Sequence, residues 1–497
     1  MAQVEKLRKA SDSGSCFDDE DFDIEANKEL TKAVKTFRLK DRSGSASFID
    51  EGSDACDVKQ GQLGDCWFLA ALSSIAAKDQ SGTKVAKIKE DSIKRVLQTG
   101  FNTTMLAKGA GGYHFKFFRM GEWVDVVIDD KLPDRHEGKI NRAIESKNGE
   151  WWVPLVEKAY AKFHGGYNNI VGGETAVALT ELSGGIAVDA NNLDSTGVNL
   201  GDLLKKLQRN SLITTSNRDG AGNEKVTKGL VSGHAYSLLL VDTMTLSDGS
   251  KLDMVKIRNP QGRGEWDGAW NDDDTKWADV SDDEKKRLGV VNSNDGSFWM
   301  ELEDWVDEFE NLTICALPGL DVNDEDGDIS EEEKNSRDVR VSGTFPPGAQ
   351  NDPLSGGNNK NPDLSSQIEL SVGDYGQTDT RLIWLQILID SPVKVKRSVL
   401  VNFWATTSKS GDDPFNRPQS GTPDFKKLQK VEPVFPNKSG HQPYPYSHNG
   451  YLLDVAPGKY LITVSTKLKE PTTDPTNFIV RAMGSNLKLR PVTEAFF

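Results

Sequence analysis

The sequence predicts an α+β chain in which a two-lobed core is followed by an antiparallel β-sandwich. Three observations predict it. The apolar run opened by Cys66 reads as a buried helix, whereas the segments around His234 and Asn259 read as strands. Gly172-Gly173 interrupts the patterned region between them and marks the crossing from one lobe to the next. Short β-rich runs then follow at 367–372, 382–389, 395–404, 451–455, 460–465 and 477–482, separated by turn residues as in a sandwich.

In chain order, residues 1–43 are a charged, weakly patterned extension with a short helix expected near 25–37. Residues 44–171 form the first lobe, with the helix that starts at Cys66 as its spine. Within it, 113–118 and 123–128 alternate like the arms of a hairpin. Residues 172–317 form the second lobe, which carries the His234 and Asn259 strands. Residues 318–362 are a linker, acidic at 321–333 and rich in Gly, Pro and Asn at 343–361. Residues 363–497 are the sandwich.

Composition narrows the class. A chain of 497 residues divides into two to four domains, and 11 Trp and 20 Phe can fill their cores. The net charge of −16 excludes nucleic acid as a partner, disfavours a generic anionic membrane surface, and suits cation binding. Four cysteines, Cys16, Cys56, Cys66 and Cys315, are too few for a disulfide framework in so long a chain. The first nine residues lack an apolar signal region, and no run of 18 apolar residues exists. The expectation is a cytoplasmic protein without a transmembrane segment.

The chemistry concentrates in Gln60-Gly61-Gln62-Leu63-Gly64-Asp65-Cys66-Trp67-Phe68-Leu69. A thiol at a helix N-terminus has its thiolate favoured by the helix dipole. Gly61 and Gly64 allow the chain to turn back, so that the Gln60 amide and the Cys66 N–H can face one oxygen. A lone cysteine at such a place is otherwise a buried structural residue. A nucleophilic thiol needs an imidazole, and the imidazole an orienting group. His234 opens the apolar run Ala235-Tyr236-Ser237-Leu238-Leu239-Leu240 after a small-residue turn. Asn259 closes Val255-Lys256-Ile257-Arg258-Asn259-Pro260, where its side-chain carbonyl can fix the ring. Each has a plainer reading, a core histidine and an Asn-Pro turn. The order Gln, Cys, His, Asn argues against both.

With these segments in place, the chain resembles the calpains, a branch of the papain-like cysteine proteases. The resemblance runs over roughly residues 40–317. It includes Gly121-Glu122-Trp123-Val124-Asp125-Val126, Trp151-Trp152, Leu155-Val156-Glu157-Lys158-Ala159-Tyr160, Ser183-Gly184-Gly185, Glu265-Trp266-Asp267-Gly268-Ala269-Trp270 and Asp295-Gly296-Ser297-Phe298-Trp299. It implies a papain-like core with Cys66 as nucleophile, His234 as general base and acid, Asn259 as orienter and Gln60 as oxyanion donor. It further implies calcium as cofactor. The ligands would be the carbonyls of Asp50 and Gly52 with Asp57 and Glu150 in the first lobe. In the second they would be Glu265, Asp272 and Asp295, with a carbonyl near Ser293. Such hard oxygens suit calcium. The loop at 321–333 looks like an EF-hand loop, but places Val322 where an oxygen ligand is required, so a solvated acidic connector is the competing reading.

Two departures from the family pattern stand out. Gln261 stands where calpains carry a Trp that shields the His–Asn bond. An inter-lobe Arg–acid pair is replaced by Ala55 and Ser297 together. The resemblance in the sandwich is weaker, and no helical penta-EF-hand domain follows it, so a small regulatory subunit is not implied. The function expected is a calcium-dependent intracellular cysteine endopeptidase that performs limited proteolysis on protein substrates. The alternatives are a calcium-responsive binding or scaffold protein with little turnover, and a calcium-independent protease of the same build.

Overall fold

The computed structural model describes residues 2–22, 24, 35–41, 47–49, 52–78, 84–136, 139–140, 142–144, 146, 149–191, 199–217, 226–319, 338–345, 366–372, 381–390, 397–406, 428–431, 446–468, 476–484 and 487–491. Two compact units emerge, Met1–Gly185 with Asn192–Cys315, and Ile186–Asn191 with Ala316–Phe497. Nearly all of both predicted lobes therefore falls in the first unit.

The spine of the first unit is the helix Cys66–Ala76, in which every residue from Trp67 to Ala76 is buried. It has no charged residue, and an all-round apolar helix is stable only inside a core. It packs against the helices Lys84–Leu97 and Thr175–Ser183 and the strands Ser211–Asn217 and Ala235–Thr245. Its two serines and a strand serine stay satisfied in that core. Ser74 Oγ donates to Ile213 O at 2.8 Å, Ser237 Oγ to Ala70 O at 2.7 Å, and Ser73 Oγ to Ala55 O at 3.4 Å. The first two bonds tie the Cys66 helix to the strands Ser211–Asn217 and Ala235–Thr245, and the third ties it to the Ala55–Asp57 turn.

The expected hairpin is present as Gly112–Arg119 and Glu122–Asp129, with Tyr113 opposite Ile128 and Phe117 opposite Val124. Its two turn residues, Met120 and Gly121, have φ of 47° and 83°. That is the primed turn which matches strand twist. The helix Trp152–Phe163 carries Pro154 in its first turn, where no intrahelical N–H is lost. Within this unit, the segment expected as the second lobe carries sheet strands in the order Ser297–Glu301, Lys251–Arg258, Ala235–Thr245, Ser211–Asn217, Phe309–Ala316, the first three pairings antiparallel. Arg258 is opposite Ser297 on one side and Ser237 on the other.

The N-terminal extension differs from its reading. A helix runs over Ala2–Asp12 and buries Val4 and Leu7 against Phe17, Met105, Ala110 and Val127. Its apolar signal is only two residues three apart among charges, so periodicity missed it. Of the helix expected near 25–37, residues 25–34 lie outside the described ones. Thr36–Arg38 is a strand paired with Lys131–Pro133, because the edge offered by that segment outweighs local propensity.

In the second unit the strands Asp338–Phe345, Thr476–Met483, Arg381–Asp390 and Tyr446–Val455 form one antiparallel sheet, in that order. Leu428–Val431, Arg397–Thr406, Gly458–Leu468, Ser366–Val372 and Leu487–Pro491 form another. Alternate residues of both, such as Ile368, Leu370 and Val372 with Ile383, Leu385 and Ile387, share one apolar cluster. All six runs expected there are strands, although 395 and 396 lie outside the described residues. Three further strands went unread. The first, Asp338–Phe345, begins inside the expected linker and extends through Gly343 to Phe345, where a loop was expected. Its Asp338 is held by Arg481, with both bonds at 2.8 Å. The acidic loop 321–333 lies outside the described residues. Among the described residues, no helix is long and apolar enough to cross a membrane.

Candidate active site and cation loops

Cys66 is the first residue of its helix, so the N–H groups of Cys66 and Trp67 have no intrahelical acceptor and are available at the sulfur. The indole of Trp67 anchors this end, donating from Nε1 to Ile170 O at 2.9 Å, while Gly172 N–H donates to Gly64 O at 2.8 Å. The lobe crossing is thereby pinned to the nucleophile loop. Gly173 lies so close to the indole that a Cβ would stand 2.3 Å from Trp67 Cε2. Gly173→Ala is expected to destabilise the protein by about 1–3 kcal/mol through overpacking, read as a lower thermal denaturation midpoint.

His234 precedes the strand Ala235–Thr245, and Asn259 follows the strand Lys251–Arg258. Sheet register brings them together, and His234 Nε2 meets Asn259 Oδ1 at 3.0 Å. The same Oδ1 accepts the Gln261 N–H at 2.9 Å, and Asn259 Nδ2 donates to Gly264 O at 3.0 Å. With Oδ1 as the acceptor, Nε2 carries the proton and Nδ1 is the free base. Tyr236 stands edge-on to the imidazole, with ring centroids 4.9 Å apart. Gln261 does not leave this pair open. Asn259 is fully buried and His234 nearly so, and the turn through Gly264 and Gly296 closes on Asn259. Asn259 N–H donates to Gly296 O at 2.7 Å.

Cys66 and His234 are both neutral in this arrangement. Burial pushes the Cys66 thiol above its ordinary pKa and the Asp65 charge adds to the rise, against the N–H groups of Ala235, Trp67 and Cys66. Burial pulls His234 down to about 4 against its bond to Asn259. No hydrogen bond joins the Cys66 sulfur to the His234 ring. Gln60 is placed beside the nucleophile loop, with its N–H on Pro260 O at 2.8 Å. Its side-chain amide donates to Leu63 O at 2.7 Å and to Asp65 Oδ1 at 3.4 Å. The second bond is long, and releasing it frees one amide hydrogen at small cost.

Sequence reading passed over a buried acid pair behind the nucleophile. Asp65 and Glu157 are both fully buried, and burial raises both carboxyls, that of Glu157 further because Asp65 adjoins it. Glu157 accepts the Ala143 N–H at 2.8 and 2.9 Å, whereas Asp65 Oδ2 has no donor. A proton shared between the two carboxyls would satisfy that oxygen, in keeping with the raised values. The visible signal was a charged residue, Glu157, directly after the apolar run Val153-Pro154-Leu155-Val156. Raised carboxyls favour a folded state that binds more protons than the unfolded one. Stability from this source is full below the ordinary carboxylate range and is lost as pH rises through the raised values. Thermal midpoints are expected to fall between about pH 5 and pH 8, and less steeply in Asp65→Asn.

Two loops hold the carboxylates expected to bind a cation. In the first, the turn Ala55–Asp57 is closed by a reciprocal cap, with Cys56 N–H on Asp54 Oδ1 at 3.0 Å and Asp54 N–H on Asp57 Oδ2 at 2.9 Å. Burial and the charge of Glu150 push Asp57 up to about 6. Glu150 is buried and accepts Ser146 Oγ at 2.9 Å. Gly52 is exposed with φ of 82°, and Asp50 lies outside the described residues. In the second, Glu265 accepts Gly296 N–H at 2.7 Å, Asp272 accepts Ser293 N–H at 3.0 Å, and Asp295 accepts Ser297 N–H at 2.8 Å. Ser293 O accepts Asp295 N–H at 2.7 Å. Burial raises Glu265 and Asp272, and the neighbouring acid charges add to it. Among the described residues, no three acidic, His or Cys side chains converge closely enough to hold a metal ion. The donor chemistry nonetheless fits a hard divalent cation, since each loop holds oxygen ligands whose charges repel.

Residues 14–316 match the calpain family of cysteine proteases. The chain is 38% identical over 275 residues to calpain clp-4 of Caenorhabditis elegans, covering 54% of this chain and 36% of that protein. It is 32% identical over 316 residues to calpain-A of Drosophila melanogaster, covering 61% and 36%. It is 36% identical over 305 residues to calpain-5 of Mus musculus, covering 57% and 46%. The chain thus spans between a third and a half of the length of these relatives.

Proposed function

Because the chain belongs to the calpain family of cysteine proteases, we propose that it is a calcium-dependent endopeptidase that cuts protein substrates at few sites. The observation that carries this reading is the bond from His234 Nε2 to Asn259 Oδ1 at 3.0 Å, made beside a strand start whose Ala235 N–H faces the Cys66 thiol. Once sulfur and ring are in register, His234 Nδ1 takes the thiol proton and the thiolate attacks the scissile carbonyl. The Cys66 N–H and the freed Gln60 amide hydrogen stabilise the oxyanion. His234 returns its proton to the leaving amine, which departs as the thioester forms. It then takes a proton from water, whose hydroxide releases the acid and restores the thiol.

Asp57, Glu150 and the Gly52 and Asp50 carbonyls would hold one calcium ion, and Glu265, Asp272 and Asp295 another. Bound calcium supplies positive charge that offsets the repulsion within each loop. The separation of Cys66 from His234 and the unconverged carboxylates are consistent with a resting arrangement. Turning a 1:99 balance into 99:1 needs about 5.5 kcal/mol of preferential binding to the assembled form. The paired sheets of the second unit fit a β-sandwich domain, and an intracellular setting fits the free cysteines. No small regulatory subunit is invoked.

The test is casein hydrolysis across a calcium titration, with Cys66→Ala as control. Cleavage that needs calcium and is abolished in Cys66→Ala is expected. Cleavage indifferent to calcium removes the switch but keeps the protease. Folded protein without any cleavage favours a binding role.

A further inference from the structure

Arg258 directly precedes Asn259, and its side chain is fully buried. Its guanidinium reaches both lobes. Nε donates to Ala55 O at 2.7 Å and Nη2 to Val58 O at 2.9 Å. Nη1 donates to Asp295 O at 2.6 Å and lies 3.4 Å from Ser297 Oγ. Asp295 Oδ1 stands 3.9 Å from the same nitrogen. Ala55 and Val58 bracket Asp57 in the first cation loop, and Asp295 belongs to the second. One rigid fork thus holds carbonyls from both loops.

We propose that Arg258 is the positioning residue that couples the two cation loops to each other and to Asn259. The inference rests on the calcium reading above. A guanidinium is planar with fixed donor angles, so moving the Ala55–Val58 carbonyls turns the plane that Asp295 O must meet. Ala55 and Ser297, the two ends of the absent inter-lobe pair, are both partners of this one side chain. The strand end that carries it leads straight into Asn259, and the Pro260 carbonyl just beyond accepts the Gln60 N–H at 2.8 Å. A change in either loop therefore reaches both the orienting and the oxyanion side of the cleft. Lysine keeps the charge but offers one nitrogen on a flexible stem, which cannot meet three carbonyls in fixed directions.

Calorimetric titration with calcium alone, in the Cys66→Ala chain, tests this without relying on turnover. The parent is expected to bind two ions with a Hill coefficient above 1. Arg258→Lys in the same background is expected to bind both independently, with the coupling of roughly 5- to 150-fold lost. A folded Arg258→Lys chain that keeps the parent's cooperativity overturns the proposal, as does a parent that binds two ions independently. A parent that binds no calcium overturns the calcium reading itself, and the coupling with it. Should Arg258→Lys not fold, hydrogen exchange in Asp57→Asn decides, because Arg258 is intact there. Calcium is expected to slow exchange at residues 55–60 as well as at 293–297. Slowing confined to 293–297 overturns the coupling, and slowing at neither overturns the calcium reading of the second loop.

Discussion

His234→Ala is expected to lower kcat/KM for peptide hydrolysis by roughly 10⁴- to 10⁶-fold, because in the proposed mechanism one imidazole performs both proton transfers. KM is expected to change little, since the ring contributes to the transition state rather than to capture of extended substrate. Asn259→Ala gives a smaller loss of the same kind: the ring remains, but Nε2–H loses the acceptor that fixes its tautomer and plane. Steady-state kinetics with both variants separate the roles. A fall confined to KM would refute them. Thiol chemistry gives a second readout. Desolvation raises the half-buried thiol and lowers the imidazole to about 4, so at neutral pH both are uncharged in this arrangement. Iodoacetamide should label Cys66 slowly in chelator, and at least tenfold faster with calcium if the ion pair then assembles.

Arg258→Met is expected to destabilise the first unit by about 3–5 kcal/mol, the usual cost of removing one partner from a buried charged network. The substitution fills much of the volume, but leaves Ala55 O, Val58 O and Asp295 O without their donor. Each buried, unpaired acceptor costs about 1–3 kcal/mol, and relaxation of the loops recovers part of that. The thermal midpoint should fall by roughly 5–15 °C. A shift under about 2 °C would mean that water replaces the guanidinium at small cost.

What was legible in the sequence follows from what kind of signal each feature leaves. The Cys66 helix is a charge-free, largely apolar run, and the hairpin alternates cleanly, so both were read where they stand. The pairing of His234 with Asn259 was expected from two strand ends 25 residues apart, because adjacent antiparallel strands return to the same edge. The helix Ala2–Asp12 was missed because it buries only Val4 and Leu7 among its hydrophobic residues. The strand Asp338–Phe345 was missed because Asp338, Arg340 and Gly343 lower its apparent propensity, while a tertiary ion pair with Arg481 supplies what propensity lacks. Arg258 and the Asp65–Glu157 pair left no periodic mark. Their roles exist only where segments distant in sequence meet, and no local pattern encodes that. The burial of the His–Asn pair was likewise hidden, since the glycine-bearing turn that packs on Asn259 leaves no periodic mark.

The raised thiol has a consequence for survival under oxidative stress. Peroxide attacks thiolates and scarcely touches thiols, and beyond the first oxidation product a cysteine is beyond ordinary repair. A Cys66 held protonated, half-buried at a helix end and without a hydrogen bond to His234 is chemically quiet in this arrangement. Idle molecules should therefore outlast working ones in a burst of oxidant, leaving a reserve that remains competent once reducing conditions return.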